Sequence, residues 1–116
     1  MYARVISMKA KSGMLKTAVE LAEKIMVPAA QRYAGFHHWC QLSDPITNDT
    51  LYISLWGNEE DMNTFGQNDL QRIMVQMGQV IDFETMESKM YCVDVMVEAI
   101  PELIVDQIAD GILESA

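Results

Sequence analysis

An α+β fold with the element order β-α-β-β-α-β is predicted for this chain. Three observations predict it. The hydrophobic period switches between two and about 3.6 residues along the chain, and the switches fall at Lys11-Ser12-Gly13, Ala34-Gly35 and Asn58. A short polar loop, Ser43-Asp44-Pro45 to Asn48-Asp49, separates two strand-like runs and reads as a hairpin connection. The length of 116 residues suits one domain.

Tyr2 to Met8 carries β-branched Val5 and Ile6 with no breaker and reads as the first strand. Ser12 then stands where an N-cap is needed. Leu15, Ala18, Val19, Ala22, Ile25, Met26 and Ala29 recur at three- and four-residue steps, so the first helix follows. Pro28 lacks an N–H for the helical ladder and is expected to kink or shorten that helix.

Phe36 to Ser43 reads as the second strand, with Phe36, His38, Cys40 and Leu42 on one face and His37, Trp39 and Gln41 on the other. Leu51 to Trp56 is the third strand. Tyr52, Ser54 and Trp56 share a face of it.

Asn58 opens the second helix, and Glu59, Glu60 and Asp61 complement the dipole of its first turn. Gly66-Gln67-Asn68 is expected to break or bend it before Leu70, Ile73, Met74 and Met77 resume the apolar face. Phe83 to Val97 reads as a long fourth strand, its apolar end from Met90 buried on both faces. After Pro101, Ile104, Val105, Ile108 and Ile112 oppose Glu102, Asp106, Asp110 and Glu114, the pattern of an amphipathic acidic helix over residues 98–116.

This order is the ferredoxin-like split βαβ, a four-stranded antiparallel sheet with its helices on one face. Residues 1–97 are expected to form the domain. Trp39, Val5 and the apolar residues of the fourth strand are assigned to the other face, which a second copy of the chain would cover.

Bulk charge narrows the function classes. Seventeen acids against eight Lys and Arg leave a net charge of -9, which repels phosphate backbones and anionic lipid. Neither a nucleic-acid partner nor a membrane is expected. The N-terminus has no long apolar run of the kind a secretory signal needs, and Cys40 and Cys92 read as reduced thiols, so a cytoplasmic location is expected.

Local features bring a resemblance. The first strand running into Lys11-Ser12-Gly13 and a long helix, the junction from Pro28 through Gly35-Phe36, and Leu51-Tyr-Ile-Ser-Leu-Trp56 followed by Asn58-Glu-Glu-Asp-Met resemble, in order and spacing, the antibiotic-biosynthesis-monooxygenase-like proteins of the dimeric α+β barrel superfamily. The resemblance covers residues 2–97. It implies a homodimer. It also implies cofactor-independent oxygenation of a small aromatic, quinol or anthrone in type, since some members oxygenate reduced polycyclic phenols without a bound cofactor. The family often carries a His in the helix after the Trp, where Phe65 stands here. Its haem-degrading branch places an Asn on strand one and a His on helix two. Val5 and Val75 stand near those positions, so neither haem nor any other cofactor is expected.

Each candidate site residue has two readings. His38 is either a general base or a half-buried His beside an ordinary thiol, Cys40. With only those two ligands on one face, no metal site is expected. Arg4, inside an apolar strand, either holds an anion or pairs with Asp94 or a Glu of the fourth strand. The Tyr52 hydroxyl reaches either a ligand or water. Trp56 is either a core plug or a ring that stacks on a flat ligand, with Phe65 and Met74 as further pocket walls. The alternative function is a non-catalytic dimeric module that binds a small ligand or a protein.

Overall fold

The structure is a computed structural model and describes residues 1–100. Strand β1 (Tyr2–Ala10) is followed by helix α1 (Leu15–Gln31), strands β2 (Phe36–Ser43) and β3 (Asp49–Trp56), helix α2 (Glu59–Thr64), a π-helical turn (Phe65–Asp69), helix α3 (Leu70–Met77) and strand β4 (Ile81–Cys92). The sheet has four strands in the order β2-β3-β1-β4, and every neighbouring pair is antiparallel. This is the α+β architecture that the alternating periods predict.

Alternation along the two central strands decides where the core sits. Ile6, Met8, Ala10, Thr50, Tyr52, Ser54 and Trp56 are buried beneath the helices. The apolar ones among them meet Ala18, Ala22 and Met26 of α1 and Met62, Phe65, Ile73, Met74 and Met77 of the second helical segment in one cluster. Val5, Leu51, Ile53 and Leu55 point to the other face and are half-buried.

Four local expectations are corrected. Helix α1 is N-capped by Met14 rather than Ser12, with no side-chain cap. It runs through Pro28 to Gln31, because a proline so near the C-terminus removes a single ladder bond while Ala29 and Ala30 still pack into the core. Strand β2 carries a bulge at His37: Phe36 pairs with Trp56 and His38 with Leu55. The extra residue resets the alternation. Phe36, Trp39 and Gln41 therefore all face the helices, and Trp39 packs on Tyr52 instead of lining the open sheet face. Finally, β4 ends at Cys92, paired with Tyr2, because β1 offers no further partner. Residues 93–100 have no regular structure, and Val95 and Val97 are 79% and 84% exposed rather than buried on both faces.

The break foreseen at Gly66-Gln67-Asn68 is the π turn itself, through which the helix continues. Asn58 caps α2 as its position suggests, its Oδ1 accepting from the Asp61 N–H at 2.8 Å. The acidic helix expected over residues 98–116 falls almost wholly outside the described residues.

Candidate functional site

The π turn widens the helix where it crosses β1 and β4. It is held from outside by Asp69, a buried carboxylate that accepts from Arg32 at 3.2 Å and Arg72 at 3.0 Å and also from the Tyr33 hydroxyl. That bond, with burial and the carboxylate's charge, raises the Tyr33 pKa. Tyr33 and Phe36 meet Trp56 edge-on, and the ring of Phe65, the first residue of the turn, lies edge-on to Tyr33 and tilted against Trp56.

In front of the turn lies a cavity of about 520 Å³, open on one side. Its walls are Gly66, Gln67, Leu70, Gln71, Met74, Val75, Phe83 and Met86. This volume lies in the usual range for small-molecule sites, roughly 300–1,000 Å³. The lining is apolar apart from two glutamines, and it contains no titratable side chain.

Arg4 lies against the same turn. It is 7% exposed, on the helix side of β1. Its Nη1 donates to Ser88 Oγ at 2.8 Å, and its Nη2 donates to the Met62 carbonyl at 3.2 Å and to Met90 Sδ at 3.4 Å. Burial lowers its pKa. Neither Asp94 nor a strand-four Glu pairs with it, which corrects the expected ion pair. The ion pairs among the described residues are Lys9–Asp49, Arg32–Asp69 and Arg72–Asp69. Glu87 points to the opposite sheet face, since its register partner is Ser7 rather than Arg4.

The remaining candidates are dispersed. Tyr52 is buried, and its hydroxyl has no partner. Burial raises its pKa, opposed in smaller degree by the Thr50 hydroxyl, which is itself donated to the Met8 carbonyl. Trp56 is fully buried and donates to Ser54 Oγ at 2.9 Å, the core-plug reading, and Phe65 is fully buried beside it. Neither ring lines the cavity, whereas Met74 does. His38 is exposed on the open face, opposite Leu55 and across the sheet from Arg4 and Tyr52. The structure thus brings Arg4 and Met74 to the π turn and separates His38 from them. Sequence reasoning missed Gly66, Gln67 and Phe83. Gly66 was noticed only as a helix breaker. A second hollow of about 440 Å³ lies at the far strand ends around Met8, Leu42, Asp44 and Thr85.

Solved structures with this arrangement decide the fold. The NE2512 protein from Nitrosomonas europaea, of unknown function, superimposes with a TM-score of 0.67 at 11% identity, over 84% of this chain and 94% of that one. SnoaB from Streptomyces nogalater, a cofactor-independent oxygenase, does so with a TM-score of 0.62 at 14% identity, over 87% and 97%. The chain has the fold of the antibiotic-biosynthesis-monooxygenase-like proteins. A candidate antibiotic biosynthesis monooxygenase from Chloroflexus aurantiacus has the same monooxygenase-like fold, with a TM-score of 0.61 at 17% identity over 85% and 97%. No family model matches the chain, and no curated protein does. Among the described residues, no helix is long and apolar enough to cross a membrane, and no cluster of His, Cys, Asp or Glu has the makings of a metal site.

Proposed function

We propose that the chain is a cofactor-independent monooxygenase acting on a small aromatic of quinol or anthrone type, held in the cavity between the π turn, α3 and β4. The cavity carries this reading: an apolar hollow of about 520 Å³ walled by Leu70, Met74, Phe83 and Met86, on a fold shared with an oxygenase that needs no cofactor. In such chemistry the ionised substrate passes one electron to dioxygen. The radical pair combines as a carbon-bound peroxide, and loss of water leaves a carbonyl. A ring methylene plus dioxygen becomes a carbonyl plus water, so no external reductant is consumed. The protein's task is to keep water out and to favour the substrate anion. Met74 and Phe83 supply apolar walls, and Gln67 and Gln71 are the polar residues of the lining.

The working unit in this reading is a homodimer. The open sheet face presents Val5, Leu51, Ile53 and Leu55 half-covered and Leu42 50% exposed. A two-fold axis would bury that face against its copy.

Dioxygen uptake by the purified protein, without added cofactor or metal, tests the activity against a panel of anthrones and hydroquinones. Turnover above the spontaneous rate is expected, and Met74→Trp, which fills the cavity, should abolish it. Uptake at the spontaneous rate across the panel, or turnover untouched by Met74→Trp, overturns the reading.

The absence of any titratable group from the cavity lining, with His38 on the other face, favours a second reading: a binding module of the same fold. It predicts saturable ligand binding without dioxygen uptake.

A further inference from the structure

Arg4 is a buried cation without a counter-charge among the described residues. All three of its acceptors are neutral: a hydroxyl, a backbone carbonyl and a thioether. Its Nε–H is buried with no acceptor at all. A guanidinium stays protonated under these conditions, so the charge is not relieved by proton loss. Burying such a charge is costly unless it is paired. Acids are not scarce in this chain, which has 17 of them against 8 Lys and Arg, yet none of those among the described residues is placed here.

Two further features give the unmatched charge a direction. Gly66 is both a wall of the cavity and the residue against which the guanidinium lies, close enough that a Cβ there would stand 2.2 Å from Nη2. Only a residue without a side chain lets the guanidinium approach the turn so closely. On the other side, Ser88 and Met90 sit on the part of β4 that no helix covers. The cation thus lies behind the Gly66 wall of an apolar cavity whose lining has no charge of its own.

We infer that Arg4 is the anion anchor of this cavity, and that the ligand is an aromatic bearing a negatively charged oxygen, as carboxylate, phenolate or enolate. The inference rests on the cavity being the ligand site. Within the oxygenase reading it assigns a task that no side chain in the cavity lining could perform. A guanidinium behind the cavity wall lowers the pKa of a substrate oxygen held there, so the reactive anion forms by proton loss to solvent water at the open side, without a base in the lining. A carboxylate on the same ring system would be held by attraction to the same charge.

Calorimetric titration with naphthoate and with its neutral near-isostere naphthamide tests this. The wild-type protein should bind naphthoate about tenfold or more tighter than naphthamide. Arg4→Gln and Arg4→Met should each bring naphthoate down to the naphthamide level and leave naphthamide affinity unchanged. Equal affinity of the wild type for the two probes overturns the anchor while leaving the cavity reading intact. That comparison needs no variant to fold. A naphthoate preference that survives in both variants also overturns it. If the wild type binds neither probe, the cavity reading fails, and the anchor fails with it.

Discussion

The guanidinium of Arg4 fills the space that a side chain on Gly66 would need: a Cβ there would stand 2.2 Å from Nη2 and 2.5 Å from the central carbon. The two residues are 62 positions apart in sequence, and the contact joins β1 to the π turn. Gly66→Ala should therefore destabilise the protein by about 1–3 kcal/mol, the usual cost of overpacking. In an Arg4→Met background the penalty should shrink, because the flexible thioether can move aside where the hydrogen-bonded guanidinium cannot. Urea denaturation of the four proteins measures the coupling. Strictly additive effects would show that the two side-chain positions do not compete.

Asp69 gathers Arg32, Arg72 and Tyr33 on one buried carboxylate, its side chain 10% exposed. The two arginines are themselves more than half exposed, so solvent screening discounts their share. Asp69→Asn should cost about 1–2 kcal/mol overall. It should also return the Tyr33 hydroxyl toward its ordinary pKa, since the bond to Asp69 is the first cause of its rise. Spectrophotometric titration of the tyrosines reads that shift, and an unchanged titration curve would refute it.

Tyr52 carries a buried hydroxyl without a partner. Replacing it by Phe removes an unsatisfied group, so Tyr52→Phe should stabilise the protein by about 1 kcal/mol at neutral pH. The pH dependence follows from the same burial. The folded-state pKa lies above the ordinary value of 10.0, so the folded protein holds the proton longer than the unfolded chain. The resulting stabilisation is fully present below pH 10.0 and is lost as the pH rises through the folded-state pKa. Tyr33 shifts in the same direction. Tyr52→Phe should therefore flatten the alkaline loss of stability only in part. Thermal melts across the alkaline range show it, and an unchanged slope would contradict the assignment.

A charge on the open sheet face should separate the proposed dimer. Ile53→Lys places an ammonium among Val5, Cys40 and the leucines of β3 without touching the helix-side core. Sedimentation velocity should report a dimer for the wild type and a monomer for the variant. A wild-type monomer would remove the dimer from the account.

Sequence patterning was enough for the element order, because each change of hydrophobic period falls at a Gly, Ser or Asn boundary. It also located the irregularity at Gly66-Gln67-Asn68. It did not reveal that the irregularity is a π turn, since helix widening leaves the apolar face nearly unchanged. The faces of β2 were misassigned for a different reason. Strict alternation assumes one residue per register step, and the bulge at His37 has no sequence signature of its own. Of the candidate site residues, Arg4 and Met74 reach the π turn, Phe65 is its first residue, and Trp56 and the Phe65 ring close the core behind it. The surroundings of Arg4 depend on where β1 crosses a helix more than fifty residues later in the chain. No local pattern encodes that crossing.

The central claim is that an aromatic anion occupies the cavity at the π turn, and the ten methionines make it directly observable. Isotope-labelled methionine methyl resonances would be followed by nuclear magnetic resonance during titration with naphthoate. Met74 and Met86 line the cavity, and Met90 touches Arg4. Met8 lines the hollow at the other end of the sheet, and Met26 is buried in the core under α1. The account predicts saturable shifts at Met74, Met86 and Met90 with Met8 and Met26 unmoved. Shifts centred on Met8, or none at any methionine, would contradict it.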